Sequence, residues 1–342
     1  MLKRLTWMTL MLVALVAFVG CSDDDDPVVV TPPTNFEVIA DAVEAYLPVM
    51  GTSYMLASNL NPLVNAAEPT VTVFDIRQSG AYDAGHIKGA ISATMTGIVT
   101  DVEDAGLSKT DEIVVTCYTG QSAGHAVTAL RLLGYTNAKT LKFGMSSWNE
   151  NVPPSRWMEP VAPATESGSC KDDLLAVNLE ETANTLVDEY DYPTGQPTLE
   201  DAVEATLASF EAVTIDAAQA AGLGNYFILN YVQYADYMPG AVVPGHVAGA
   251  FQFDPGTSID RDTMMKYLPS DDTPIMVYCY TGQSSSQVTF ALNTLGHDAV
   301  SMKFGMNHLF YNDNGYNASS KWSDTFCKNY DLYDNNGDVV EF

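Results

Sequence analysis

A chain of 342 residues, 46% hydrophobic and 10% aromatic, carries enough apolar material for substantial cores and, by its length, for two domains. Fifteen Lys and Arg stand against 43 Asp and Glu, a formal charge of −28, and so acidic a surface repels nucleic acid and anionic lipid headgroups. The same composition excludes a disordered chain. Lys3 and Arg4 precede an apolar run from Leu5 to Val19, too short for a membrane span and laid out as a secretory signal, so 1–20 is expected to be a signal peptide. Like charges at Asp23 to Asp26, then a stretch rich in Pro, Val and Thr, cannot make a core, and 21–34 reads as an extended tether.

Folded structure is expected from Asn35. Phe36 to Leu47 has helical spacing of apolar residues, and Asp41-Ala42-Val43-Glu44-Ala45 within it returns as Asp201-Ala202-Val203-Glu204-Ala205. Val71 to Phe74 reads as a strand that ends in Asp75-Ile76-Arg77, and Gly85-His86-Ile87-Lys88-Gly89-Ala90 follows. Next comes the β-branched run Ile113 to Thr116, then Cys117-Tyr118-Thr119-Gly120-Gln121-Ser122, then a helix-period run from Ala126 to Leu133 closed by Gly134. The same six letters recur as Cys279-Tyr280-Thr281-Gly282-Gln283-Ser284, after Ile275 to Tyr278 and before a helix-period run closed by Gly296. A period of roughly 160 residues means two domains of one fold. They are placed at 35–170 and 198–342, with a linker helix and turn over 171–197.

Strands separated by helical patterns predict an α/β fold, each unit a mostly parallel sheet flanked by helices, with chemistry at the carboxyl ends of the strands. Both cysteine loops lie at such an end. Their backbone N–H groups are expected to converge at the positive end of the following helix, lowering the thiol pKa and making Cys117 and Cys279 nucleophiles. Gly120 and Gly282 let the backbone turn, Ser122 and Ser284 place a small hydroxyl at the helix start, and the Tyr and Thr of each loop form pocket wall.

Asp-Ile-Arg at 75–77, the Gly-His turn at 85–90, the first cysteine loop and Leu141-Lys142-Phe143-Gly144-Met145 together resemble the rhodanese family of sulfurtransferases. The second unit resembles it through Gly245-His246-Val247-Ala248-Gly249-Ala250, the loop at Cys279 and Met302-Lys303-Phe304-Gly305-Met306. The resemblance implies transfer of a sulfane sulfur through a cysteine persulfide at Cys117 or Cys279, from a donor such as thiosulfate, a polysulfide or a persulfide to a thiol or cyanide. It makes the five residues after each cysteine the substrate loop, gives Asp75, Arg77, His86 and His246 supporting roles, leaves Lys142 and Lys303 between solvent and substrate, and requires no metal or organic cofactor.

Phe18-Val19-Gly20-Cys21 resembles a bacterial lipoprotein cleavage site, which implies a lipidated Cys21 and a lipid-anchored protein of the cell envelope, periplasmic or surface-exposed. Contact with the membrane is then through the anchor alone.

Several departures matter. Thiosulfate-preferring members carry basic residues in the loop, and neither loop here has one. In the second unit Asn230 and Val232 stand where the first has Asp75 and Arg77, and Met238-Pro239-Gly240-Ala241-Val242 is inserted before the Gly-His turn. Cys170 and Cys327 hold roughly equivalent positions and are a candidate disulfide between the units, with unpaired thiols the alternative. The acidic tail Asp331 to Asp338 reads as a solvated end. A cysteine phosphatase would need an arginine in its loop, which leaves a non-catalytic persulfide carrier or partner-binding module as the alternative to a sulfurtransferase.

Overall fold

Ile113, Val114 and Val115 are completely buried, as are Ile275, Met276 and Val277, because each run is the middle strand of a parallel sheet covered on both faces. The computed structural model describes residues 32–152, 157, 196–237, 245–260, 267–269, 271–312, 316 and 318–342. The expected signal peptide and lipidated Cys21, nearly all of the tether and linker, Cys170, and the insertion at 238–242 lie outside the described residues.

The first sheet has strands β1 (Tyr54–Met55), β2 (Val71–Asp75), β3 (Ile91–Ser92), β4 (Glu112–Thr116) and β5 (Ala138–Leu141) in the order β1-β5-β4-β2-β3. The second repeats it with β6 (Ala212–Val213), β7 (Phe227–Asn230), β8 (Ala250–Gln252), β9 (Ile275–Tyr278) and β10 (Ala299–Met302) in the order β6-β10-β9-β7-β8. All pairings within both sheets are parallel. Helices of the first half are α1 (Asn35–Tyr46), α2 (Ala57–Val64), α3 (Ser79–Asp83), α4 (Ile98–Asp104) and α5 (Gln121–Leu132). Those of the second are α6 (Leu199–Leu207), α7 (Ile215–Ala221), α8 (Tyr234–Tyr237), α9 (Gln283–Thr294) and α10 (Met306–Phe310).

The repeated Asp-Ala-Val-Glu-Ala lies in α1 and α6, and both start on a threonine cap. Thr34 Oγ1 accepts from the Glu37 N–H and Thr198 Oγ1 from the Asp201 N–H, each at 3.2 Å. α5 and α9 pack against each other, and with α1 and α6 they bury one apolar layer common to both sheets: Val127 and Leu130 share a cluster with Val288 and Leu292. The two repeats are therefore halves of one body from Thr34 to Phe342, not beads on a string.

The expectation of a solvated C-terminal end holds for Asp331 and for Asn335 to Asp338, which are exposed, and fails at Leu332. Leu332 is 1% exposed and packs with Ile87 and Trp148 in the outer core of the first half. Trp148 Nε1 donates to the Asp331 carbonyl at 3.0 Å, and Tyr333 forms an antiparallel bridge with His86. Cys327, at the start of this return, carries a free, half-buried thiol.

Candidate active site

Register brings the functional segments to one edge of each sheet. Asp75 pairs with Thr116, directly before Cys117, and Asn230 pairs with Tyr278, directly before Cys279. The Phe-Gly-Met turns close the other flank: the Met145 N–H donates to the Cys117 carbonyl at 2.8 Å and the Met306 N–H to the Cys279 carbonyl at 2.9 Å. The residue that begins the turn into each helix is the glycine. Gly120 and Gly282 are the N-caps, at φ +81° and +78°, so Ser122 and Ser284 sit inside the first turn rather than on the cap.

Around Cys117 the Gly120 N–H lies 3.1 Å and the Ala123 N–H 3.4 Å from Sγ. The converging amides are thus those of Gly120 and of Ala123, one residue beyond the motif. The sulfur is nonetheless part of the shared apolar core, and burial pushes its pKa up; the amides of Ala123, Thr119 and Gly120 pull it down without prevailing, and the charge of Asp75 adds to the rise. The expected lowering of this thiol fails because a helix terminus offsets only part of the cost of taking a thiolate out of water. The Trp157 indole donates to the Thr119 carbonyl at 3.2 Å over the same loop.

Cys279 has a different surround. The Ser285 N–H lies 3.3 Å from its Sγ and the Ser285 hydroxyl 3.7 Å, and that hydroxyl is 2.8 Å from Ser301 Oγ. The first loop has Ala123 in the place of Ser285, so this hydroxyl exists at one sulfur only. Cys279 also lines a cavity of about 650 Å³ that both halves build. Pro48 and Tyr54 enter it from the first half; Tyr231, Asp236, Tyr280 and Ser284 from the second. Tyr54 and Ser284 join across the boundary, hydroxyl to hydroxyl, at 3.0 Å. The Tyr280 hydroxyl donates to the Asp236 carboxylate, and burial together with that carboxylate pushes the phenol pKa well above its usual value.

The remaining expected site residues divide. Gln121 and Gln283, read as substrate-loop residues, are buried and spend their carboxamide oxygens across the boundary. Gln283 Oε1 accepts from the Phe143 N–H at 2.8 Å and Gln121 Oε1 from the Phe304 N–H at 3.1 Å. Asp75 and Arg77 form a fully buried pair at 2.6 Å, and Arg77 Nη2 also donates to the Gly85 carbonyl at 2.8 Å, tying the Gly-His turn to β2. In the second half Tyr278 takes over that tie: its hydroxyl receives Asn230 Nδ2 at 2.7 Å and the Val247 N–H at 3.0 Å. The loss of the Asp-Arg pair is therefore answered by a tyrosine where the first half has Thr116.

His86 and His246 stack on Tyr82 and Tyr237 at 3.9 Å, with Nδ1 at 3.1 and 3.0 Å from those tyrosines' carbonyls. Lys142 is half-buried, its ammonium 5.5 Å from the Phe143 ring centre and its pKa lowered by burial, while Lys303 is exposed. Neither lines the Cys279 cavity. Sequence reasoning missed Ser285, Tyr54, Tyr231 and Asp236. Ser285 was visible as the difference from Ala123; the others are brought to the sulfur by folding alone.

Comparison with known proteins places this geometry. A family model of the rhodanese-like domain matches residues 60–151 and 216–320. The chain is similar to thiosulfate sulfurtransferase GlpE of Shewanella oneidensis, 30% identical over 93 residues that make 27% of this chain and 90% of that protein. GlpE of Pseudomonas entomophila is 33% identical over 87 residues, 25% of this chain and 77% of that one. Among solved structures, the rhodanese-like domain of an Anabaena sp. protein is 28% identical, with a TM-score of 0.25 over 28% of this chain and 70% of its own. The two matched segments make up more than half of the residues, and the chain belongs to the rhodanese-like domain family.

Proposed function

We propose that this protein is a sulfurtransferase that works through a persulfide on Cys279, with Cys117 in a structural part. The observation that carries the reading is Cys279 in the lining of a cavity of about 650 Å³ at the carboxyl end of the central strand, its sulfur beside the Ser285 N–H and hydroxyl. Family membership and the likeness to thiosulfate sulfurtransferases support the reaction class.

In the proposed cycle the Cys279 thiolate attacks the outer sulfur of a donor. The donor's S–S bond breaks, its electron pair leaves on the inner sulfur, and Cys279 holds a persulfide. An acceptor thiolate then attacks the outer sulfur of that persulfide and the pair returns to Cys279, so no external oxidant or reductant enters. The Ser285 N–H and hydroxyl stabilise the negative sulfur each time it forms. A persulfide carrier without turnover is the second reading, and the burial of both sulfurs favours keeping it in view.

Intact-protein mass spectrometry after exposure to a polysulfide or thiosulfate tests the proposal. We expect a gain of one sulfur atom in the unsubstituted chain and in Cys117→Ser, its loss in Cys279→Ser, and its release by cyanide or a thiol. A gain that follows Cys117 instead would reverse the assignment, and a gain that no acceptor releases would favour the carrier.

A further inference from the structure

The cavity over Cys279 has an unusual charge for a site meant to take up anions. Among the described residues, its polar lining side chains are hydroxyls, the Gln233 amide and one carboxylate, Asp236, with no Lys, Arg or His. Asp236 accepts the hydroxyl of Tyr280, the residue next to Cys279, so the carboxylate is fixed one tyrosine side chain away from the reacting loop. The surrounding phenols stay protonated: burial raises the pKa of Tyr54, Tyr231 and Tyr280, and the nearby Cys279 adds to the rise of each. Asp236 is thus the carboxylate a ligand meets inside the cavity, in a chain whose total charge is −28. A dianion such as thiosulfate would bring its sulfonate against it.

We propose that Asp236 selects the ligand of this site, and that the ligand is a small aminothiol: its persulfide as donor, its thiol as acceptor. The ammonium, two carbons from the sulfur, pairs with Asp236 while the sulfur reaches Cys279. The inference deepens the sulfurtransferase reading and rests on it for the reaction, though not for the ligand class. In the transfer, the Cys279 thiolate bonds to the terminal sulfur of the aminothiol persulfide; the S–S bond breaks and the aminothiol sulfur leaves with the electron pair and takes a proton.

Charged thiol reagents test the ligand class whether or not sulfur is transferred. In a Cys117→Ser chain, 2-aminoethyl methanethiosulfonate (cationic) and 2-sulfonatoethyl methanethiosulfonate (anionic) each form a mixed disulfide and expel methanesulfinate, and peptide mass mapping gives the rate at each cysteine. We expect the cationic-to-anionic rate ratio at Cys279 to exceed that at Cys327 by about tenfold or more. Asp236→Asn should erase the excess at Cys279 and leave Cys327 unchanged, while Asp236→Glu and Tyr280→Phe, which keep the carboxylate, should retain it. Equal ratios at Cys279 and Cys327 in the parent chain, a ratio indifferent to Asp236→Asn, or a Cys279 that neither reagent reaches would overturn the proposal. A persulfide in the mass experiment with a flat ratio here defeats this inference alone; the expected ratio without any persulfide defeats the sulfur-transfer reading and leaves the ligand class standing.

Discussion

Ala123 and Ser285 occupy the same place one residue beyond identical loops, and the difference reaches the sulfur. Ser285 sets a hydroxyl 3.7 Å from Cys279, whereas Cys117 has the Gly120 and Ala123 amides beside its sulfur and packs among apolar side chains. The raised pKa of Cys117 has a direct consequence, since the thiolate is the reactive form and appears only at higher pH than in free cysteine. In Cys279→Ser, alkylation of Cys117 by iodoacetamide should follow a pH profile displaced upward, with a rate at neutral pH below that of free cysteine. A profile that coincides with or falls below free cysteine's would mean that the loop amides outweigh burial. Both cysteines and their loop glycines were legible in the sequence because spacing alone specifies strand, turn and helix. Their ranking was not, because six identical letters carry no information about what packs above them.

The elements that hold the two loops are tied across the boundary more closely than the repeat pattern suggests. Phe143 and Phe304 sit at φ +64° and +62°, where the chain has left its strand and the N–H has no ladder partner. The glutamine of the opposite loop supplies one in each case, at the start of α5 or α9. Replacing Gln121 or Gln283 by Ala leaves a buried N–H unpaired and should cost about 1–3 kcal/mol each in urea unfolding. A cost below about 0.5 kcal/mol would show that water reaches the freed N–H. The glutamines read as substrate residues because they stand beside the cysteine; that their side chains turn away from it depends on a second helix that sequence distance conceals. The exchange of Asp75 and Arg77 for Asn230 and Val232 has the same lesson. The substitution was visible, but its compensation by Tyr278 appears only when β7 and β9 lie side by side.

At the scale of the whole molecule, the chain runs through the first half, builds the second, and returns its last residues to the first. Leu332 is the apolar anchor of that return, and Leu332→Ala should destabilise the protein by about 3 kcal/mol, read as a lower urea midpoint. Because α1, α5, α6 and α9 share one core, the loss should appear in a single transition and not as early melting of one half. An unchanged midpoint would mean that the tail contributes no stability to the first half. The clasp that the sequence pointed to, a bond between Cys170 and Cys327, is one that the described residues do not reach; the return of the tail is one they do. The α/β class, the duplication, both cysteine loops and the family likeness were determined by the sequence itself, because hydrophobic period, β-branched runs and fixed glycine positions are local and survive without knowledge of the fold. The cavity that Cys279 lines, the Asp236 carboxylate in its wall, the crossed glutamines and the docking of Leu332 were decided by tertiary structure alone, because each depends on groups far apart in the chain that meet only when the two halves close on one core.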